Sequence, residues 1–157
     1  MQPARRASLP RKRKAVAMLG SDLNFGIPDI DLTWTCGGTV NPSCFAGHQL
    51  VVLFLPLEAA EAALEMETYD KLSNEFPDVD SFCLAVARDR FASTSHPAPI
   101  ALDPADAAWK EFTSLAGLDP ERAAGAAFVF TRGGALHRVW PGRGHAGDVL
   151  AELRTRA

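Results

Sequence analysis

The sequence predicts an α/β domain of three layers: a mixed central sheet with helices on both faces and an N-terminal β-hairpin. Three observations carry this. Gln49 to Leu55 is a continuous apolar run rich in β-branched and aromatic residues, as a strand buried on both faces reads. After Pro56 the composition switches to Ala, Glu, Leu and Met, with no Gly or Pro until Pro77, as an α-helix following a central strand reads. Towards the C-terminus two further strand-like runs flank Gly133-Gly134 and lead into a last amphipathic stretch.

The elements follow in order. Asp31 to Thr35 alternates polar and apolar residues, Gly37-Gly38 supplies a turn, and Thr39-Val40 begins the returning strand of a hairpin. Phe45-Ala46-Gly47-His48 is a short link into the central strand, with His48 expected at the surface. On the central helix Ala62, Met66, Tyr69, Leu72 and Phe76 recur at helical spacing and turn one apolar stripe toward the sheet. Val79 to Val86 reads as a second strand, with Phe82, Leu84 and Val86 alternating against Ser81, Cys83 and Ala85. Cys83 is expected there as a buried, inert small hydrophobe.

Phe91 to Pro99 is a short crossover and Ile100 to Leu102 a brief strand. Asp103 as N-cap with Pro104 at the first helical position predicts a helix over Ala105 to Leu115, with Trp109, Phe112 and Leu115 inward and Gly117 ending it. Ala126 to Phe130 and Ala135 to Trp140 make a hairpin about Arg132-Gly133-Gly134. His145 to Arg156 is the closing helix, with Val149, Leu150 and Leu153 inward.

At 157 residues the chain is one domain's worth, and 47% hydrophobic with 22% charged residues is the composition of a soluble globular protein. No apolar run approaches the roughly 20 residues that span a bilayer. The net charge of -3 hides an asymmetry, because Arg5, Arg6, Arg11, Lys12, Arg13 and Lys14 all precede the first acidic residue, Asp22. Setting those six aside leaves 10 basic against 19 acidic residues, a body charge of -9. The chain therefore divides into a basic tail, residues 1–20, and a folded domain, residues 21–157. The tail reads as solvated, or as a docking arm for an acidic partner, nucleic acid or lipid headgroups. Ala15 to Leu19 is too short and too weak for a secretory signal, which makes a cytoplasmic location the expectation; an organelle transit peptide is the alternative.

Three cysteines, Cys36, Cys44 and Cys83, are too few for a disulfide framework and point to a reducing compartment, with a Cys36–Cys44 bridge left open. Cys36, Cys44 and His48 lack a fourth ligand and a zinc-like spacing, so neither a metal nor a cofactor is implied. Gly142-Arg143-Gly144-His145 lacks the strand-to-helix setting of a phosphate loop and reads as the start of the last helix. His137, His145 and Asp148 have no accompanying Ser in a nucleophile elbow. Arg122 and Arg132 read as surface charge, with an anion contact as the alternative.

Several of these stretches, taken in order, resemble the peroxiredoxins, in the branch named for alkyl hydroperoxide reductase and thiol-specific antioxidant proteins (redoxin domains). They are Gly26-Ile27-Pro28-Asp29 before the first strand, Phe45 to His48 before the central strand, Pro56 at its end, Arg88-Asp89 closing the next strand, and Ala126 to Phe130 followed by a Gly turn. The resemblance covers about Asp22 to Arg156 and implies a three-layer thioredoxin-like fold of the peroxiredoxin type. In that family the turn reads Pro, three residues, Thr, two residues, Cys. The Cys thiolate attacks the peroxide and an Arg from a later strand supports it. Here Pro56 fits, but Ala60 stands at the Thr, Ala63 at the Cys and Gly125 at the Arg.

The resemblance thus implies a peroxidase scaffold whose reactive centre is empty, a pseudoenzyme that works through contacts. An accessory subunit of a larger assembly or oligomer, held by its basic arm, is the leading expectation. Cysteine-less redoxin domains of similar Ala-rich, trimmed character occur attached to iron and 2-oxoglutarate oxygenases. Glu58 and Glu61 at the start of the central helix suit its dipole but would raise the pKa of a thiol beside them. Two alternatives stay open: a divergent thiol peroxidase or disulfide oxidoreductase using Cys36 or Cys44, and a small-ligand protein using the pocket bounded by Pro56, Ala60, Ala63 and Gly125.

Overall fold

A computed structural model describes residues 26–75, 81–89 and 99–156. The strands are β1 (Leu32–Trp34), β2 (Thr39–Val40), β3 (Gln49–Phe54), β4 (Ser81–Ala87), β5 (Ala101–Leu102), β6 (Ala126–Phe130) and β7 (Leu136–Pro141). The helices are α1 (Ala59–Glu75), α2 (Ala107–Ala116) and α3 (Ala146–Arg156), and 3-10 turns cover Pro42–Phe45 and Arg122–Ala124. The strands form one sheet in the order β2-β1-β5-β4-β3-β6-β7. β3 runs parallel to β4 and β4 to β5, while β6, β7 and the β1–β2 hairpin pair antiparallel. The sheet is mixed, as the sequence predicts.

Every residue of β3 is buried, and its period-2 alternation divides it between two cores. Val51 and Leu53 face α1 and α3, meeting Ala62, Met66, Tyr69, Val149, Leu150 and Leu153. Leu50, Val52 and Phe54 face the other way, against Trp109 and Phe112 of α2 and Phe128 and Phe130 of β6. Phe54 meets Trp109, Phe112 and Phe128 edge-on at centroid distances of 5.2, 5.3 and 5.6 Å, the geometry that aromatic quadrupoles favour. The continuous apolar run is thus explained by helices on both faces of the sheet.

Most boundaries fall within two residues of the sequence reading, but three expectations need correction. The second helix begins at Ala107 and not Ala105, because Asp106 takes a left-handed conformation (φ 58) that breaks helical continuity. Asp103 still caps it, over an inserted turn: its carboxylate accepts from Ala108 N at 3.1 Å and Trp109 N at 3.0 Å, and Pro104 lies in that turn. Phe82 is exposed, and its ring packs on those of Phe45 and His48. Cys83 is likewise exposed, since it borders a cavity and is not packed in a core. The basic tail, Phe76, the start of the second strand at Val79 and most of the Phe91–Pro99 crossover lie outside the described residues.

Candidate functional site

The Leu55-Pro56 turn leaves β3 and delivers the chain to the N-terminus of α1; Pro56 and Gly125 meet there, while Ala60 and Ala63 lie on the first two turns of α1. Leu55 N donates to Val86 O at 2.8 Å and Leu57 N to Ala123 O at 3.0 Å, so the turn is tied to β4 on one side and to the Arg122–Ala124 turn on the other. Pro56 is buried, Ala63 half-buried and Ala60 open at the surface.

The helix N-terminus is already occupied. The Glu58 carboxylate accepts from Glu61 N at 2.9 Å, satisfying one of the free donors at the helix start. Glu61 pairs with Arg143 at 3.4 Å, an exposed and therefore weak contact. Glu65 lies buried one turn on and accepts from Gly144 N at 3.2 Å to each oxygen, fastening α1 to the loop between β7 and α3. Burial pushes the Glu65 carboxyl above its ordinary range, and Gly144 N–H, His145 and Arg143 offset part of that rise. Glu58 just before α1, with Glu61 and Glu65 on its first two turns, therefore stands against a field that favours a thiolate, which the resembled family needs.

Gly125 is buried at φ 77 and ψ -171, a region few side chains adopt. A Cβ built there would overlap Phe54 O and lie 3.1 Å from Pro56 N and 3.2 Å from Leu55 C. Gly142 N donates to Gly125 O at 2.8 Å from the opposite side. The expected pocket is thus closed by backbone on the Gly125 side. A side chain at this position is therefore excluded by the close approach of Gly125 to the end of β3.

A guanidinium does lie beneath this turn, but it comes from Arg122. The expectation that Arg122 is surface charge is wrong: it is 8% exposed, its Nη1 donates to Leu55 O at 2.7 Å, and its Cζ lies 5.1 Å from the Trp109 ring centroid and 5.7 Å from that of Phe54. Its Nε stands 3.5 Å from Asp106 Oδ1, and Arg88 holds the same carboxylate with Nη2–Oδ2 at 2.6 Å and Nε–Oδ1 at 3.2 Å. Burial depresses the Arg122 pKa, while the hydrogen bond from Arg88 holds Asp106 below the usual carboxylate range. The cluster lies on the α2 face of the sheet, across β3 from α1, and it fixes the Leu55-Pro56 turn from below. Arg132 sits in the β6–β7 turn beyond Phe130, at the far end of the sheet from Pro56.

Cys36 and Cys44 are free and exposed, Cys36 at the tip of the β1–β2 hairpin and Cys44 in the 3-10 turn beyond its open end. β5 and β4 stand between that hairpin and β3. His137 pairs with Glu152 at 2.7 Å and His145 with Asp148 at 3.5 Å, so each is engaged in helix packing and not with the other. Among the described residues no group of three or more His, Cys, Asp or Glu side chains could hold a metal ion. Among them also no helix is long and apolar enough to cross a membrane.

Two buried charges escaped the sequence reading. Glu65 was visible in principle, since it sits between Ala62 and Met66 at the i+3 position of the apolar stripe. Arg122 carried no comparable signal, because its partners Asp106 and Leu55 are far off in the chain.

No protein-family model matches the chain, and no curated protein matches it in sequence. Solved structures do match in shape. Peroxiredoxin Q from Xanthomonas campestris is 21% identical, with a TM-score of 0.68 over 87% of this chain and 97% of that one. The bacterioferritin comigratory protein of Xanthomonas campestris, described in connection with its own alkyl peroxide reduction activity, is 22% identical with a TM-score of 0.69 over 88% and 97% of the two chains. An exposed lipoprotein thioredoxin from Streptococcus pneumoniae reaches 0.59 at 17% identity, over 82% and 99%. At such identities the likeness is one of fold, and the fold is that of a peroxiredoxin-like thioredoxin domain.

Proposed function

We propose that this chain is a non-catalytic peroxiredoxin-like protein that acts through contacts, as a binding or accessory subunit of a larger assembly. The observation that carries the reading is the close approach at Gly125, where an added Cβ would overlap Phe54 O and lie 3.1 Å from Pro56 N, together with Ala60 and Ala63 on a helix start capped by Glu58. A peroxide-reducing cysteine needs a thiolate at neutral pH and donors aimed at the leaving oxygen. Glu58 and Glu61 stand at this helix start, and Ala63 holds the position of the family's cysteine. The exposed apolar side chains Leu57 and Leu64 flank the same helix start, which suits a surface that meets another protein.

The basic tail carrying Arg5, Arg6, Arg11, Lys12, Arg13 and Lys14 is the candidate anchor to an acidic partner. Affinity capture with the full chain and with a chain lacking residues 1–20 tests it: a partner lost on truncation supports the anchor, and an unchanged partner removes it. Trapping of sulfenic acid after a peroxide challenge tests the other half. Labelling at Cys36 or Cys44 coupled to turnover would transfer the assignment to a divergent thiol peroxidase.

A further inference from the structure

The body's negative charge is concentrated on α1. Residues 58–75 carry six carboxylates against one cation, Lys71, so -5 of the body's -9 belongs to this helix and its entry. The other helices are neutral: α2 carries one charge of each sign and α3 two of each. Glu58, Glu67, Asp70 and Glu75 are exposed, and so are two large apolar side chains at the same helix, Leu57 at 38% and Leu64 at 55%. Leu64, Glu67 and Lys71 share the stripe opposite the Ala62, Met66 and Tyr69 face that packs on the sheet.

A face both acidic and apolar fits an occupant both basic and apolar, and the chain carries one. Arg11-Lys12-Arg13-Lys14 is followed directly by Ala15-Val16-Ala17-Met18-Leu19. Twelve residues separate Lys14 from Gly26, where the described structure begins, a span of up to about 40 Å. A domain of this size has a radius of gyration of about 14 Å, so the basic run can reach any face of it. Tethering holds the tail near the domain at a roughly millimolar effective concentration, at which a weak contact is populated.

We infer that, in the unbound chain, the basic tail docks on the outward face of α1, its cations against Glu58 and Glu67 and its apolar residues against Leu57 and Leu64. The docking deepens the accessory reading, and what releases the tail rests on it: the anchor and the Leu57–Leu64 surface cover each other until a more acidic partner takes the tail.

A nitroxide at Ser8→Cys, in a Cys36→Ser/Cys44→Ser/Cys83→Ser background of the full chain, reads the contact by paramagnetic broadening of amide NMR signals. Selective broadening is expected at residues 57–71 at about 0.01 M ionic strength, where the Debye length is about 30 Å, and its loss in about 1 M salt, where it is about 3 Å. Glu67→Lys with Leu64→Gln should abolish the broadening, as should serine at all four of Arg11, Lys12, Arg13 and Lys14. Absent broadening, broadening centred on another element, or broadening that survives Glu67→Lys with Leu64→Gln would overturn the docking. Polyglutamate should then relieve the broadening by competing for the tail; broadening that it leaves intact would overturn release by an acidic partner while upholding the docking.

Discussion

Gly125 faces the carbonyl oxygen of Phe54 so closely that no side chain fits between them, so the backbone itself holds this position to glycine. Gly125→Ala should lose about 2–4 kcal/mol, combining the strain of a positive φ with overpacking against β3. Urea unfolding checks it; a loss under about 0.5 kcal/mol, the level of an ordinary surface substitution, would show that the turn can relax.

An Ala63→Cys chain tests the field at the start of α1. The introduced thiol should titrate no lower than an ordinary cysteine, near about 8.5, because Glu58 caps the helix start and Glu61 adds negative charge. The pH dependence of iodoacetamide alkylation, in a Cys36→Ser/Cys44→Ser background, reads this directly. A pKa depressed by more than about one unit would mean the scaffold still activates sulfur.

Arg122 links β3 to α2 through Leu55 O, Asp106 and two aromatic faces. Arg122→Ala should cost about 3–5 kcal/mol, by opening a hole between Phe54 and Trp109 and leaving Leu55 O unpaired. Arg122→Met fills that hole without the charge and should lose clearly less, about 1–2 kcal/mol. Equal losses would show that the ionic contacts, and not the packing, dominate.

Asp106→Asn isolates charge from backbone, since Asn also tolerates the left-handed conformation found here. The folded state holds the Asp106 pKa below its ordinary 3.8, so its contribution is present above that value and is lost as pH falls through the lower folded value. The variant should therefore be less stable than the parent at neutral pH, and the gap should close in acid. A gap independent of pH would assign the effect to shape.

The architecture was readable in the sequence because its signals are local. The all-apolar β3, the Ala- and Glu-rich α1, and the glycine turns at 37–38 and 133–134 each specify an element with little help from the rest. The α2 boundary was less so, since the Asp103 cap is visible but the inserted turn depends on Asp106 being held by Arg88 and Arg122 from elsewhere in the chain. Ala60, Ala63 and Gly125 were singled out by the resemblance to the peroxiredoxins; the reason Gly125 admits no side chain is tertiary and could not be read. Leu57 precedes α1 and Leu64 lies off its apolar stripe, and both are exposed.

Steady-state peroxide consumption by the full chain, with hydrogen peroxide and an alkyl hydroperoxide and a dithiol reductant, tests the proposed non-catalytic role most directly. The account predicts a rate indistinguishable from reductant alone, unchanged in Cys36→Ser, Cys44→Ser and Cys83→Ser. Turnover above that background, abolished by any one of those three substitutions, would contradict it.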